Sequence, residues 1–279
     1  MSQPEPDSVE LKCTVRKCHQ RLLRSNQGLT CANGHHFDRA KEGYWNLTQP
    51  QDKKSSNPGD HREAVLARHR WLQRGHAAGL MDELKRWLDG MNPHSRVLDL
   101  GCGDGTFGPA LFPQHAASFC GIDLSKSAIK LAAKGWPEAT WVLANADRGL
   151  PVVDSSIECV ISLFGRRPAA EIRRVLRPDG CCIVAVPAED DLIELREAVQ
   201  HEGKRRRRIV PIIEQLEEFD LRCVEQKLWR CQIEIGPDEI ADALAMTYRA
   251  GRRSEQRLIA SIQTTMATLS ADLLLFRPQ

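Results

Sequence analysis

The stretch that decides the fold reads Arg96-Val-Leu-Asp-Leu-Gly-Cys-Gly-Asp-Gly-Thr106. Its apolar beginning is typical of a short buried strand, and three glycines at alternate positions follow directly. Such glycines let a strand turn sharply into a helix and leave backbone N–H groups open to a ligand. Asp123 closes the next apolar run, about twenty residues later, where a second strand would set a carboxylate against a ribose. The stretch therefore predicts a binding site for a nucleotide-like cofactor.

Two classes of cofactor fit a glycine-rich turn. Residues 103–108 form a literal G-x-G-x-x-G, but in the dinucleotide fingerprint of dehydrogenases the first glycine follows the strand directly. Here the strand ends earlier, so that match is out of register. The form Asp-x-Gly-x-Gly-x-Gly over residues 99–105 resembles motif I of class I S-adenosylmethionine-dependent methyltransferases. Their cofactor is cationic and has no phosphate, so an acidic residue suits it, whereas a pyrophosphate would be repelled. The resemblance implies cofactor contacts at Asp99, Gly101, Gly103, Asp104 and Gly105.

Composition limits the class of protein. With 279 residues, of which 42% are apolar, the chain can bury the core of one large and one small domain. No signal-peptide pattern opens the sequence and no run of about eighteen apolar residues occurs, so we expect a cytoplasmic protein without a membrane partner. Ten cysteines in such a chain favour reduced thiols over a disulfide framework. Those in or beside apolar runs predict buried core thiols: Cys102, Cys120, Cys159, Cys181, Cys182 and Cys223.

The first fifty residues predict a separate zinc-binding module. Cys13 and Cys18 are followed, after twelve residues, by Cys31 and His35, with an Asn-Gly turn before the last of them. Two close pairs of thiolate or imidazole ligands across a hairpin-sized gap are typical of a tetrahedral structural zinc site. A segment this short cannot bury a core unaided, so the metal would supply much of its folding free energy. The alternatives are free cysteines on a surface hairpin, or a flanking histidine, His19 or His36, as one ligand.

Aromatic and basic residues follow the predicted zinc ligands. Tyr44 and Trp45 lie near Lys41, Lys53 and Lys54 in the sequence. The aromatic rings could stack on unpaired bases while the lysines meet phosphates. Equally, the rings could pack against the small zinc module. The sequence leaves both alternatives open.

Almost the whole chain resembles one family, the large-subunit ribosomal RNA guanine-N1 methyltransferases. The resemblance implies an α/β protein in which a small N-terminal zinc ribbon precedes a doubly wound, Rossmann-like class I methyltransferase domain. It further implies S-adenosylmethionine and zinc as cofactors, and methylation at N1 of a guanine in a hairpin loop of 23S rRNA. Beyond motif I, the matching residues are the zinc ligands Cys13, Cys18, Cys31 and His35, then Phe37-Asp38, 40–44, Asn46-Leu47, 58–60, 121–126, 128–130, 214–217 and Met246-Thr247.

Three positions depart from the family pattern. The first zinc pair is spaced by four residues, Cys13 to Cys18, where two are normal for the family. Ala77 stands where family members can carry a tyrosine that contacts the cofactor. Asp191 stands where a histidine that contacts the cofactor can occur. We expect Ala77 and Asp191 to lie at the cofactor site, with altered contacts.

The resemblance implies a zinc-binding ribbon for rRNA recognition at 1–50, a helical linker at 51–92 and an S-adenosylmethionine-dependent methyltransferase domain at 93–279. The linker predicts two amphipathic helices between 61 and 89. Within the domain, a regular alternation of strands and helices predicts a doubly wound parallel sheet that ends in an antiparallel pair. We expect strands at 96–100, 118–123, 139–144, 158–164, 181–187, 221–235 and 266–276, and helices at 104–112, 125–134 with Ser125 as N-cap, 168–175, 237–246 and 255–264.

Parallel sheets of this type bind ligands beyond the carboxyl ends of their strands. The predicted topology places motif I, Asp123, Asn145 and Ala146 around one crevice. The resemblance implies that Asp123 holds the ribose and that Asn145 and Ala146 lie against the adenine. Asn145 and Asp147 are also ordinary turn residues, and that interpretation stays open.

The chain after Phe164 predicts the substrate side. Arg166 and Arg167 occupy the loop where class I methyltransferases usually place the target group, so they are the candidate catalytic residues, able to meet a phosphate or the developing charge on O6. A five-cation run at 204–208 and a basic loop at 249–253 favour contact with RNA. The alternatives are a methyltransferase acting on a small molecule, and a zinc-dependent RNA-binding protein with weakened catalysis. A monomer and a homodimer are both compatible with the sequence.

Overall fold

The computed structural model describes residues 8–25, 28–50, 59–200, 209–247 and 264–279. Several predicted features lie outside these ranges: Lys53 and Lys54, the basic run 204–208, the basic loop 249–253 and, apart from its last residue, the helix expected at 255–264. All ten cysteines lie within the ranges, and all are free thiols. No helix in these ranges is long and apolar enough to cross a membrane.

One eight-stranded sheet organises the molecule. Its strand order is β10-β11-β9-β8-β5-β6-β7-β4, and only the pairings made by β11 are antiparallel. The prediction of a doubly wound parallel sheet with a final antiparallel pair is confirmed. Its strands are β4 (Trp45–Asn46), β5 (Val97–Leu100), β6 (Phe119–Asp123), β7 (Thr140–Leu143), β8 (Ile157–Leu163), β9 (Leu176–Pro187), β10 (Leu221–Ile235) and β11 (Thr265–Pro278).

Helices cover both faces of the sheet. The central strand β5 is fully buried, as expected for a parallel strand covered on both sides. One face packs against α2, α3 and α4, and the other against α5, α7 and the N-terminal segment. The helices are α1 (Arg62–Gln73), α2 (Ala78–Leu88), α3 (Phe107–Leu111), α4 (Lys126–Gly135), α5 (Ala169–Val175), α6 (Ile193–Gln200), α7 (Ile209–Glu217) and α8 (Pro237–Thr247).

Some predicted boundaries were wrong. Helix α3 begins at Phe107 instead of 104, because the glycine turn runs on through Gly105, whose φ is +78°. Strand β9 begins at Leu176, five residues before the predicted start. Ser125 occupies the N-cap position of α4 but forms no capping bond, because its hydroxyl donates to the carbonyl of Asp60 and contacts the Ser127 hydroxyl.

The N-terminal segment joins the main sheet. Three short antiparallel strands form the ribbon: β1 (Leu22–Ser25), β2 (Gly28–Cys31) and β3 (His36–Phe37). The fourth strand, β4, then pairs in parallel with β7 and becomes the edge of the eight-stranded sheet. The link from β7 to β8 contains only a single 3-10 turn, and the ribbon's apolar residues form one continuous cluster with the sheet face beneath.

Both aromatic residues that follow the ribbon are buried. Tyr44 is 3% exposed and Trp45 is 7% exposed. Trp45 lies in the same apolar cluster as the ribbon, with the guanidinium groups of Arg24 and Arg39 over its ring. Of the two alternatives drawn from the sequence, the structure shows burial rather than rings available for stacking on bases.

Candidate functional site

A cleft of about 1270 Å³ opens at the carboxyl ends of β5, β8 and β9. Eight residues singled out from the sequence line it: Ala77, Asp99, Gly101, Gly103, Asp104, Arg166, Arg167 and Asp191. Gly105, Asp123, Asn145 and Ala146 are not among the lining residues. The cleft therefore brings together most of the predicted cofactor residues and both candidate catalytic arginines.

The glycine turn is shaped by its backbone. Gly101, Gly103 and Gly105 all have positive φ angles, between +57° and +78°. At Gly105 a Cβ would lie 2.7 Å from the Trp141 ring and 2.8 Å from the Cβ of Ala132, so no side chain fits there. The Asp123 carboxylate stabilises the turn, because it accepts the N–H of Gly103 at 2.9 Å and that of Ser125 at 2.7 Å. Asp123 thus supports the turn, whether or not it also contacts a ribose.

Asp99 is a buried carboxylate at the end of β5. Among the described residues its Oδ2 atom has no hydrogen-bond partner. Burial, and then the charges of Asp123 and Asp104, raises the pKa of Asp99 well above its usual range. A cationic ligand with N–H donors would supply both the missing hydrogen bond and the missing charge. This oxygen therefore fits the amino group of S-adenosylmethionine.

Asp104 is held by neighbours on two sides. Its Oδ1 atom accepts the N–H of Thr106 at 3.2 Å, and its Oδ2 atom accepts the Thr106 hydroxyl at 2.9 Å. The Nδ1 atom of His69, on α1, lies 2.6 Å from the same Oδ2 atom. The linker helix is thereby tied to motif I, a contact that the sequence did not predict because the two residues lie on separate elements.

The two candidate arginines differ in their surroundings. Arg166 is an exposed side chain whose guanidinium group binds the Asp147 carboxylate at 2.6 Å. Arg167 donates from Nη1 to the carbonyl of Gly165.

The Asn145 side chain accepts the N–H of Asp147 at 3.1 Å. This bond is the one expected if Asn145 is an ordinary turn residue.

The two residues that depart from the family pattern both line the cleft. Ala77 is buried and immediately precedes α2. Asp191 accepts the N–H of Ser270 at 3.0 Å, and so joins the segment before α6 to β11.

Several lining residues were not predicted as site residues from the sequence. Aromatic rings come from four different elements or loops, and two further arginines add positive charge. Trp229 was hidden in the alternating pattern of β10, in which every second residue faces one side. These residues are Trp71, Phe107, Phe164, Trp229, Arg68 and Arg196.

A second group of side chains has the geometry of a metal site. The ligand atoms of Cys13, Cys18, Cys31 and His35 all lie within 4.8 Å of one another. The Sγ atoms of Cys18 and Cys31 are 3.7 Å apart, and His35 Nδ1 lies 3.5 Å from Cys13 and 3.4 Å from Cys31. Ligands about 2.3 Å from a tetrahedral zinc would lie about 3.8 Å from each other, so the cluster fits zinc as it stands.

The environment of the cluster favours a thiolate at Cys18. The backbone N–H of Gln20, with help from His35 and Asn33, lowers the pKa of Cys18 to about 6, whereas burial raises the pKa of Cys13 to about 12. A bound cation would allow both thiols to ionise. The alternative ligand His36 instead contacts Thr30 and Asp38, outside the cluster.

Two family models match the chain in separate segments. Residues 12–56 match the zinc ribbon described as "RlmA, N-terminal", and residues 97–180 match the model described as "Methyltransferase domain". A class I domain of this kind implies S-adenosylmethionine as cofactor. The ribbon match, together with the Cys/His cluster, indicates zinc.

Named proteins are similar to this chain over two thirds of its length or more. The 23S rRNA (guanine(748)-N(1))-methyltransferase of Streptomyces fradiae is 31% identical over 240 residues, which cover 82% of each chain. A Micromonospora griseorubida protein, named as a candidate 23S rRNA (guanine-N1)-methyltransferase, is 31% identical over 68% of this chain and 70% of its own. Among solved structures, the YcgJ protein of Bacillus subtilis has a TM-score of 0.51 at 13% identity, covers 73% of this chain and all of its own, and supports the fold alone.

Proposed function

The chain belongs to the 23S rRNA (guanine-N1)-methyltransferase family, and on that premise we propose that it transfers a methyl group from S-adenosylmethionine to N1 of a guanine in a hairpin loop of 23S rRNA. One observation carries the proposal. The unsatisfied Oδ2 atom of Asp99 lies in a cleft of about 1270 Å³, beside the glycine turn. That volume exceeds the roughly 300–1,000 Å³ typical of a pocket for one small ligand, which supports joint binding of a cofactor and a base.

We assign the cofactor to the motif I side of the cleft. Asp99 would accept hydrogen bonds from the amino group, and the turn at Gly101, Gly103 and Gly105 would let the ligand approach the backbone closely. Asp123 keeps a free lone pair on each oxygen after its two backbone bonds, so it can still accept a ribose hydroxyl. Bound S-adenosylmethionine supplies an electrophilic methyl group on a sulfonium.

The protein's own task is to position the base. N1 of guanine carries a proton at neutral pH, so its attack requires loss of that proton or stabilisation of negative charge at O6. We propose that Arg166 and Arg167, at the rim of the cleft, meet that charge or a neighbouring phosphate. Arg166 would have to exchange its surface pair with Asp147, a contact that costs little because both groups are exposed.

Charge in the cleft favours RNA over a small acceptor. Four arginines line it: Arg68, Arg166, Arg167 and Arg196. Several cations around an opening wide enough for a base are typical of proteins that hold a nucleic-acid backbone while reading an unpaired nucleotide. The intact glycine turn and the orphaned Asp99 oxygen also argue against an RNA-binding protein that has lost its cofactor site.

The experiment is transfer of tritiated methyl from S-adenosylmethionine to unmodified 23S rRNA, followed by nucleoside analysis. We expect label in 1-methylguanosine, and primer extension would then locate the modified base. Label in another nucleoside would correct the target atom. Absence of label from RNA, despite cofactor binding by calorimetry, would overturn the RNA substrate in favour of a small-molecule acceptor.

A further inference from the structure

Phe164 is an exposed aromatic residue in a strained position. It follows directly after β8, its φ angle is +62°, and its side chain is 37% exposed at the wall of the cleft. Bulky residues other than glycine rarely adopt positive φ, and the conformation costs about 1–2 kcal/mol. Strain of this kind persists where the surrounding structure imposes it, and it concentrates at functional sites.

Burial does not explain the choice of residue at this position. Leu192, also on the cleft wall, has a comparable φ of +50°, but it is only 6% exposed and belongs to an apolar cluster. Within the described ranges, Phe164 has one aromatic neighbour, Phe107, at 6.5 Å between ring centroids and a tilt of 38°. Because Phe164 is 37% exposed and lines the cleft, part of its surface is accessible to a planar ligand there.

The position of Phe164 is fixed against the cofactor turn. Its N–H donates to the carbonyl of Ala185 in β9 at 2.8 Å. The next residue, Gly165, lies so close to β5 that a Cβ there would be 2.3 Å from the carbonyl oxygen of Leu100. A Cβ on Gly101 would lie 3.0 Å from the Cα of Gly165. The backbone that carries the ring is thus held beside the glycine turn, against which the methyl donor would bind.

We propose that Phe164 stacks on the target base, an unpaired purine, and holds its ring edge against the methyl donor. The inference rests on the proposed function and adds the residue that positions the acceptor. A base taken out of its stack needs a planar surface to replace its lost neighbours, and aromatic rings provide one without selecting a particular base. Stacking at this site also fixes the distance and direction of attack, on which methyl transfer depends most.

The test compares Phe164→Leu and Phe164→Tyr, with Phe219→Leu as a matched control, since Phe219 is a similarly exposed phenylalanine that does not line the cleft. The probes are unmodified 23S rRNA and tritiated S-adenosylmethionine. We expect kcat/KM for RNA to fall roughly 10- to 100-fold in the leucine variant. The tyrosine variant and the control should stay within about threefold of the native chain, because tyrosine keeps the aromatic ring.

Cofactor affinity separates the possible roles of the ring. Calorimetric binding of S-adenosylmethionine should be unchanged in Phe164→Leu, because the ring is assigned to the acceptor. A loss of cofactor affinity equal to the loss of kcat/KM would overturn the proposal, since the ring would then pack on the donor. Native kcat/KM in the leucine variant, or an equal loss in the tyrosine variant, would overturn it as well.

A further variant, Phe164→Gly, distinguishes loss of stacking from misfolding. Phe164→Gly removes the ring and relieves the backbone strain, so it should be at least as resistant to thermal unfolding as Phe164→Leu, yet equally poor with RNA. Near-native RNA methylation by the glycine variant would contradict the stacking role. A native chain that methylates no RNA would instead refute the proposed function, and so the two failures are distinguishable.

Discussion

Asp99 is a buried carboxyl group in the cleft, 2% exposed, and one of its oxygen atoms is unsatisfied among the described residues. Because the pKa of this carboxyl is raised from its usual 3.8, the folded chain keeps a proton that the unfolded chain releases. Stability therefore falls as the pH rises from about 4 toward the raised pKa. The carboxyl group that we assign to the cationic ligand should thus be a source of instability when no ligand is bound.

Asp99→Asn separates these two effects. Without cofactor we expect a higher midpoint of thermal unfolding than in the native chain near pH 8, with the difference narrowing toward pH 4, because asparagine never ionises. Affinity for S-adenosylmethionine should fall about 10- to 100-fold, since a hydrogen bond to a charged group is lost. Thermal unfolding across this pH range and calorimetric titration measure the two quantities.

Asp154→Asn is a control in which the effect on stability near pH 8 should have the opposite sign. Hydrogen bonds and charge from Lys12 and Arg174 lower the pKa of Asp154, so its stabilising contribution is present above the usual pKa and is lost as the pH falls. This substitution should lower the unfolding midpoint near pH 8 and leave cofactor affinity unchanged. An Asp99→Asn variant that behaves in the same way would contradict the account of Asp99.

At the scale of elements, the cleft depends on how α1 meets α8. Asp242 of α8 is buried and accepts hydrogen bonds from Arg70 at 3.1 Å and from Arg74 at 2.7 Å, both on or next to α1. His76 pairs with Glu239 at 2.8 Å. Both elements contribute cleft residues, among them Trp71 and Leu244, so this ionic junction joins two walls of the cleft.

Asp242→Asn tests the junction. We expect a loss of about 1.5–3 kcal/mol in the free energy of unfolding, because the asparagine lacks the negative charge that pairs with the two arginines. Asp238→Asn on the same helix is the control: its side chain is exposed, so the change should cost only a few tenths of a kcal/mol through the helix dipole. Urea denaturation measures both variants, and equal losses would contradict a special role for Asp242.

Sequence patterns predicted the elements with strong local signals. Apolar runs located β5, β6, β7 and β8 to within about two residues, and the glycine turn fixed the cofactor end of the sheet. Strand β4 was missed because it has two residues and exists only through its pairing with β7. Helices α6 and α7 were missed because they have only 8 and 9 residues, too few for a clear helical period.

The candidate site was partly predictable for a related reason. Motif I residues are adjacent in sequence, so their common location followed from one turn. His69 and Trp229 reach the site or its wall from elements far apart in the chain, and no local pattern marks them. The strain at Phe164 lies in its positive φ angle. A sequence indicates such an angle only where the residue is glycine, so this one was not predictable.

At the scale of the molecule, the zinc ribbon takes the place of a covering helix. The β7–β8 link contributes no α-helix, and ribbon residues such as Leu29 and Phe37 share one apolar cluster with Ile122 and Val142 of the sheet. The isolated bridge between Leu11 and Val152 and the ion pair of Lys12 with Asp154 strengthen the junction. Metal binding and sheet stability should therefore be coupled.

Removal of zinc should destabilise the whole molecule. We expect a chelator to lower the midpoint of thermal unfolding by roughly 10 °C or more, in a single transition, because the ribbon and the sheet unfold together. Scanning calorimetry measures the transition, and mass spectrometry of the native chain should give one zinc per molecule. Two separate transitions, with the larger one insensitive to chelator, would indicate an independent ribbon.

Cys18→Ser removes a zinc ligand without any chelator. It therefore tests the effect of zinc loss apart from other effects of the chelator. This variant should lose zinc and show the same lowered midpoint, while Cys231→Ser, a partly exposed thiol outside the cluster, should keep both. A zinc-free Cys18→Ser protein with native thermal stability would contradict the coupling.

The parallel pairing of β4 with β7 also affects the order of events during synthesis. About a hundred residues separate Trp45 from its partner Val142, so the ribosome releases the ribbon well before it releases the surface that the ribbon covers. At ordinary elongation rates of about 5–20 residues per second, the apolar side of the ribbon stays uncovered for roughly 5–20 s. During that interval the nascent chain exposes a hydrophobic patch, and a chaperone that shields such patches has its longest opportunity to bind.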